Sequence, residues 1–218
     1  ALIFTIHSDI SQLAKFVIEI DRRINCFGLS IRKVVSELDN SQYYVLINIE
    51  SQSPGGILFS CGEFTEPEKE FFNLLISEII NGCNDQFQLP MMDALNLTSE
   101  MKLKLTKNDA NNAIEQLIQD KWLYENDGSI YIGPRTSAEF GDQIANKIST
   151  TTLKVCKVCK NLSLFVVFSF FNSQGRKCDS CNIRYHVKCF ETLKAVKSDK
   201  LVKVCLGCSS ALIVENGS

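Results

Sequence analysis

Ile10, Leu13, Val17, Ile20 and Ile24 recur at three- and four-residue intervals, a spacing that predicts a first helix with one apolar stripe, opened by Ser8 or Asp9 as its cap. Two runs rich in β-branched and aromatic residues follow, Leu29 to Val35 and Tyr43 to Ile49. Joined across Asp39-Asn40-Ser41, they predict a hairpin. The polar, glycine-containing stretch Glu50 to Gly62 is expected to mark a boundary.

Beyond it the punctuation sharpens. Thr65-x-x-Glu68 is a capping box with Pro67 in the first turn, opening a helix with apolar positions Phe71, Phe72, Leu75, Ile76 and Ile79. A short second helix is predicted over Leu89 to Leu97. A third runs from Thr106 to Asp120, capped by Thr106 and Asp109, with Ala110, Ala113, Ile114, Leu117 and Ile118 on one face. Trp122-Leu123-Tyr124 and Ile130-Tyr131-Ile132 flank the turn Asn126-Asp127-Gly128 as a second hairpin. Pro134 begins a last helix striped by Phe140, Ile144 and Ile148.

Three helices and a hairpin make a winged helix, assigned to residues 64–148. Residues 1–63, with one helix and one hairpin, read as the back half of another, truncated at its N-terminal side. The chain starts without methionine and inside this unit, so it is expected to be a piece of a longer protein or an incomplete gene model. The expected fold class is α+β: tandem winged-helix units, a serine-threonine linker at 149–152, and a small domain at 153–218 of different chemistry.

That chemistry is metal binding. Cys156-x2-Cys159, Cys178-x2-Cys181, His186-x2-Cys189 and Cys205-x2-Cys208 are four ligand pairs. Two residues between ligands form a tight knuckle, which brings both side chains to one tetrahedral ion at about 2.3 Å per sulfur. Eight ligands fill two closed zinc sites, and a closed site leaves no position for a reactive water, so both zincs are expected to be structural. Disulfides are the competing reading of ten cysteines. The start ALIFTIHSDI lacks the basic region and long apolar core of a signal peptide, and the paired spacing favours metal in a reducing intracellular compartment. Cys26, Cys61 and Cys83 stand singly and are expected to be inert packing residues. The longest apolar run, Leu164 to Phe171, is far shorter than the roughly 20 residues of a membrane helix, so no membrane partner is expected.

Charge then narrows the partners. The net formal charge of -2 divides into -2 for residues 1–64, -7 for 65–150 and +7 for 151–218, the last falling to about +4 once seven thiolates and two zinc ions are counted. A DNA-reading winged helix brings Arg or Lys on its third helix to phosphate and base edges. Here that helix carries Lys107 against Asp109, Glu115 and Asp120. Direct DNA binding is disfavoured, and a winged helix that binds protein is the expectation.

The ligand order, four Cys, one His and three Cys, resembles that of RING and PHD fingers. That resemblance implies interleaving: Cys156, Cys159, His186 and Cys189 on one ion, and Cys178, Cys181, Cys205 and Cys208 on the other. PHD fingers usually place an aromatic residue two positions before the seventh ligand, where Lys203 stands, and Phe190 is the one aromatic between Cys189 and Cys205. A methyl-lysine cage needs aromatic walls, so a histone reader is disfavoured. RING domains dock a ubiquitin-conjugating enzyme through apolar residues on their two outer loops, and Val158 and Leu206 occupy such places.

Cys181-Asn-Ile-Arg-Tyr-His186-Val-Lys-Cys189, Lys121-Trp122-Leu123, and Gly133-Pro-Arg135 leading to Glu139 resemble the non-SMC element 1 family, the winged-helix and RING-like subunit of the SMC five-six chromosome complex. The resemblance runs from the first helix to Cys208. It implies a nuclear, chromosome-associated protein of DNA repair and recombination, paired through its winged helices with a MAGE-like subunit and a kleisin. It further implies a RING-type ubiquitin ligase, which has no nucleophile of its own and orients the charged conjugating enzyme for attack.

Three departures bear on that activity. Cys205-Leu-Gly-Cys208 lacks the proline common in active RINGs, and Ser209 stands where many ligases carry a cation that clamps ubiquitin. Eighteen residues separate Cys159 from Cys178, including the apolar Phe165 to Phe171, where the resemblance implies a shorter connection. This insertion reads as a packed strand, a partner surface or an error in the gene model. The alternative expectation is a non-catalytic structural subunit whose zinc domain mediates assembly.

Overall fold

The computed structural model describes residues 12–36, 41–49, 63–81, 87–147, 155–161, 163, 176–191, 193 and 202–213. Helix α1 (Leu13–Ile24) leads into an antiparallel hairpin of β1 (Leu29–Val35) and β2 (Gln42–Asn48). Asp21 joins them, its carboxylate accepting from the Ser30 hydroxyl at 2.8 Å and the Ile31 amide at 2.7 Å. The apolar stripe of α1 is not a core stripe. Leu13 and Ile20 are exposed, and α1 buries no residue. Cys26 is exposed as well, a correction to its expected packing role: it falls on the short 3-10 turn after α1, away from any core. Ile10, the Ser8-Asp9 cap, Asp39-Asn40, residues 50–62, Cys61 and Cys83 lie outside the described residues.

The second unit is a winged helix. Helix α2 (Glu66–Asn81) starts from the capping box, with the Glu68 carboxylate accepting from both the amide and hydroxyl of Thr65 at 2.7 Å. The predicted helix at Leu89 begins later than the apolar pattern suggests. Gln88–Pro90 form strand β3, and only Met91–Asn96 form α3. The physical reason is Pro90, whose ring disfavours helical geometry at the preceding residue. Leu89 instead pairs with Ile130. Helix α4 (Lys107–Gln119) is capped by Thr106, whose hydroxyl accepts from the Asp109 amide at 3.1 Å. It buries Ala110, Ala113, Ile114 and Leu117.

Strands β4 (Leu123–Asn126) and β5 (Ser129–Ile132) close a two-residue turn in which Asp127 and Gly128 both have positive φ, 49° and 71°. That mirror-image turn matches the twist of a hairpin. With β3 they form a three-stranded sheet of order β3-β5-β4. Helix α5 (Pro134–Lys147) completes the core through Phe140 and Ile144. Trp122 lies edge-on to Phe72 at 5.8 Å and stacked on Phe140 at 6.1 Å.

Helix α5 also faces the first hairpin. Val34, Ile47 and Ala138 form a small buried cluster. Arg32 donates to the Ala138 carbonyl at 3.0 Å and pairs with Asp142 at 3.1 Å. Asn161, just past the first ligand pair, donates to the Lys33 carbonyl at 2.9 Å, so β1 touches the C-terminal domain too. Ile148, the linker 149–152 and Phe165 to Phe171 lie outside the described residues. Among the described residues no helix is long and apolar enough to cross a membrane.

Candidate metal centre

Three of the four ligand pairs are built alike. The amides of Lys160, Asn182 and Ser209 return to the carbonyls of Cys156, Cys178 and Cys205 at 2.9, 2.7 and 3.0 Å. The amides of the same three cysteines donate to the carbonyls of Asn161, Ile183 and Ser210. The residue after each second cysteine is left-handed, with φ of 64°, 59° and 59° at Lys160, Asn182 and Ser209. This geometry turns each loop back on itself and presents both sulfurs on one side.

The fourth pair is different in kind. His186 precedes and Cys189 lies within the short helix α6 (Val187–Glu191), where the Phe190 amide reaches the His186 carbonyl at 2.8 Å. A helical turn takes the place of the knuckle and points both ligands the same way.

Strand β7 (Arg184–Tyr185), paired with β6 (Arg176–Lys177), carries the chain between clusters. Strands β8 (Val202–Val204) and β9 (Ala211–Ile213) pair on either side of the last knuckle. The structure brings together Cys156, Cys159, His186 and Cys189 in one group, and Cys178, Cys181, Cys205 and Cys208 in another, the ligand atoms within each lying within 4.8 Å of one another.

These separations fit a tetrahedral ion. Bonds of about 2.3 Å to sulfur give a tetrahedron with an edge of about 3.8 Å. The Cys178 to Cys208 and Cys181 to Cys205 sulfur distances are both 3.6 Å, and the Cys159 sulfur lies 3.3 Å from His186 Nδ1. Either group can hold a metal ion, and four protein ligands close its coordination sphere.

Electrostatics in both groups favour a cation. In the first, the Cys156 thiol is pushed far down, chiefly by hydrogen bonding to Cys159, while hydrogen bonding to Cys156 pushes Cys189 far up. Like charges packed this closely must share protons unless a cation replaces them. In the second, burial raises the Cys205 thiol, but hydrogen bonds from the Tyr185 hydroxyl and the Cys208 and Gly207 amides bring it down to about 6. Tyr185 is itself raised, first by burial and then by its bond to Cys205.

Val158 and Leu206, singled out by sequence as docking residues, sit in the turns of the first and last knuckles and are 37% and 55% exposed. Both turns are tied to β7: the Lys157 amide donates to the Arg184 carbonyl at 3.0 Å and the Leu206 amide to the Tyr185 hydroxyl at 3.0 Å. Ser209 is exposed. Sequence reasoning missed Tyr185 and Asn161. Tyr185 carries a detectable signal, an amphipathic aromatic set directly before a ligand histidine; Asn161 carries none.

The fold and the two donor sets define a class: winged-helix proteins whose C-terminal domain interleaves two sets of four Cys/His ligands, each able to hold a metal ion. Comparison with known proteins gives the family. The family model described as Nse1 non-SMC component of SMC5-6 complex matches residues 5–140. The chain belongs to that family.

A second family model, the phorbol esters/diacylglycerol binding domain (C1 domain), matches residues 146–200 and so stops short of Cys205 and Cys208. The non-structural maintenance of chromosomes element 1 homologs of Bos taurus and Homo sapiens are 27% and 25% identical over 184 residues, 84% of this chain and 64% of each relative. The chain thus spans about 64% of the length of these curated relatives. A solved Nse1-Nse3-Nse4 complex contains a chain of the same fold, with a TM-score of 0.64 at 24% identity over 97% of this chain and 84% of that one.

Proposed function

We propose that this chain is a zinc-binding subunit of the SMC five-six complex and acts as a RING-type ubiquitin ligase. The observation that carries the reading is the cross-braced pair of donor sets with Val158 and Leu206 exposed on the two outer knuckles. Soft thiolates and one imidazole in tetrahedral array suit zinc. Zinc bound by Cys156, Cys159, His186 and Cys189, and by Cys178, Cys181, Cys205 and Cys208, supplies folding free energy and rigid loops. Catalysis is positioning: Val158 and Leu206 hold a ubiquitin-conjugating enzyme, and its thioester is attacked by a substrate amine with no acid, base or nucleophile from this chain.

The winged helix supplies protein contacts. Its third helix exposes Asp109 and Glu115, and the Lys107 ammonium is held by the Asn96 side chain at 2.9 Å, which leaves a poor surface for phosphate. Likeness to a chain of the Nse1-Nse3-Nse4 complex supports a MAGE-like subunit and a kleisin as partners. Family membership supports work in the nucleus, on chromosomes, in DNA repair and recombination.

One observation favours the second reading, a non-catalytic assembly subunit: Ser209, exposed and left-handed, offers no cation to clamp ubiquitin. Ubiquitin-chain assays with a panel of conjugating enzymes, with and without the MAGE-like subunit, separate the two. Chains that disappear in Val158→Asp and Leu206→Asp support the ligase; no chains from the wild type under either condition leave the assembly role. Native mass spectrometry should count two zinc ions.

A further inference from the structure

We propose that Tyr185 is a positioning residue of the second metal site, fixing the Cys205 sulfur and the Leu206 turn through one hydroxyl. The ring is fully buried and packs edge-on against Phe190 at 6.2 Å. Its oxygen accepts from the Leu206 amide at 3.0 Å, and it lies 3.1 Å from Cys205 Sγ. A metal-bound Cys205 is a thiolate with no proton to give, so toward that sulfur the hydroxyl is the donor. Gly207 adds an amide at 3.4 Å.

Hydrogen bonds to a metal-bound thiolate draw off charge and fix the position of the sulfur, and such outer-shell partners strengthen the hold on the ion. The same hydroxyl holds the turn that carries exposed Leu206, so metal retention and the shape of that surface share one atom. Tyr185 also stands next to His186, a ligand of the other set, and therefore registers one cluster against the other.

The inference rests on the zinc reading, and the test separates them. In the full chain, Tyr185→Phe keeps the ring and removes the hydroxyl. Loaded with zinc, the variant should lose one of two ions to a chelator about 10-fold faster, the other at the wild-type rate. Loaded with cobalt, its sulfur-to-metal charge-transfer band should move to lower energy, and the Leu206 and Gly207 amides should exchange faster.

Phe190→Leu, which disturbs packing and keeps the hydroxyl, should leave the band in place. Wild-type protein loaded with cadmium-113 should show a slowly exchanging Tyr185 hydroxyl proton coupled to the metal, a readout that needs no variant. Wild-type release rates and band energies in Tyr185→Phe, or no coupled proton, would overturn the proposal while two bound zincs leave the metal reading standing. Fewer than two zincs in the wild type would sink both.

Discussion

The Arg135 guanidinium stands over the Trp122 ring, 4.2 Å from its centroid. The backbones beneath them are joined as well: the Arg135 amide donates to the Lys121 carbonyl at 3.0 Å and the Gly133 amide to the Trp122 carbonyl at 2.9 Å. The Thr136 hydroxyl adds a bond to that Trp122 carbonyl at 2.6 Å. Lys121-Trp122-Leu123 and Gly133-Pro134-Arg135, at the two ends of the β4–β5 hairpin, are thus one clasp that closes the wing against α5.

Removing the cation should loosen that clasp without destroying it. Arg135→Ala is expected to cost about 1 kcal/mol in denaturant unfolding, the scale of a partly desolvated cation–π contact together with its packing. Arg135→Lys should recover part of the loss. An unchanged midpoint in Arg135→Ala would show that the backbone bonds alone hold the joint.

Gly133→Ala should cost more, about 1–3 kcal/mol. A Cβ there would lie 2.6 Å from the Trp122 carbonyl carbon and closer still to the Lys121 carbonyl oxygen. Backbone cannot swing aside as a side chain does, so the wing and α5 must separate. Thermal unfolding and Trp122 fluorescence read this directly, and a variant as stable as wild type would refute the close approach.

The knuckle backbones make an opposite prediction. Ser209 holds φ at 59°, a region that costs a residue with a Cβ roughly 1–2 kcal/mol and glycine almost nothing. Ser209→Gly should therefore resist chelator-induced unfolding better than wild type, and Ser209→Val should resist it less. If Ser209 stands in for the missing clamp, Ser209→Arg should raise the rate of ubiquitin-chain formation while leaving affinity for the conjugating enzyme unchanged. Faster chains with tighter docking would place the effect elsewhere.

Asp21 gives a local dependence on pH. The Ile31 amide, and after it the Ser30 hydroxyl, hold its carboxyl below the ordinary value of 3.8. A carboxylate depressed in the folded state stabilises fully above that ordinary value, and the contribution is lost as pH falls through the lower, folded value. The Ile31 amide should lose exchange protection in that acid range and keep it at neutral pH. Asp21→Asn should abolish the pH step; a step that persists would assign it to another group.

Legibility from sequence followed the physics of each element. Strongly periodic or capped segments were readable to within a residue or two: the Thr65 box, the Thr106 cap and the Asp127-Gly128 turn each state their geometry in a few side chains. Leu89 was not, because its apolar neighbours suit a helix and a buried strand equally and Pro90 decides between them. The stripe of α1 was visible as spacing, yet spacing carries no information on what covers it. The ligand pairs could be read one by one; their partnership came from resemblance, since which pair meets which is a property of the folded chain. Tyr185 and Asn161 escaped because their partners, Cys205 and the Lys33 carbonyl, are remote in sequence.

Interleaved donor sets impose an order in time. As the chain is synthesised, Cys178 and Cys181 emerge before the first group has its histidine, so the second group opens before the first closes. The first becomes complete at Cys189 and the second only at Cys208. Any nascent or truncated chain that stops between those two residues carries one finished cluster beside a half-built one with two free thiols. A ribosome must deliver the last knuckle before the domain can be whole.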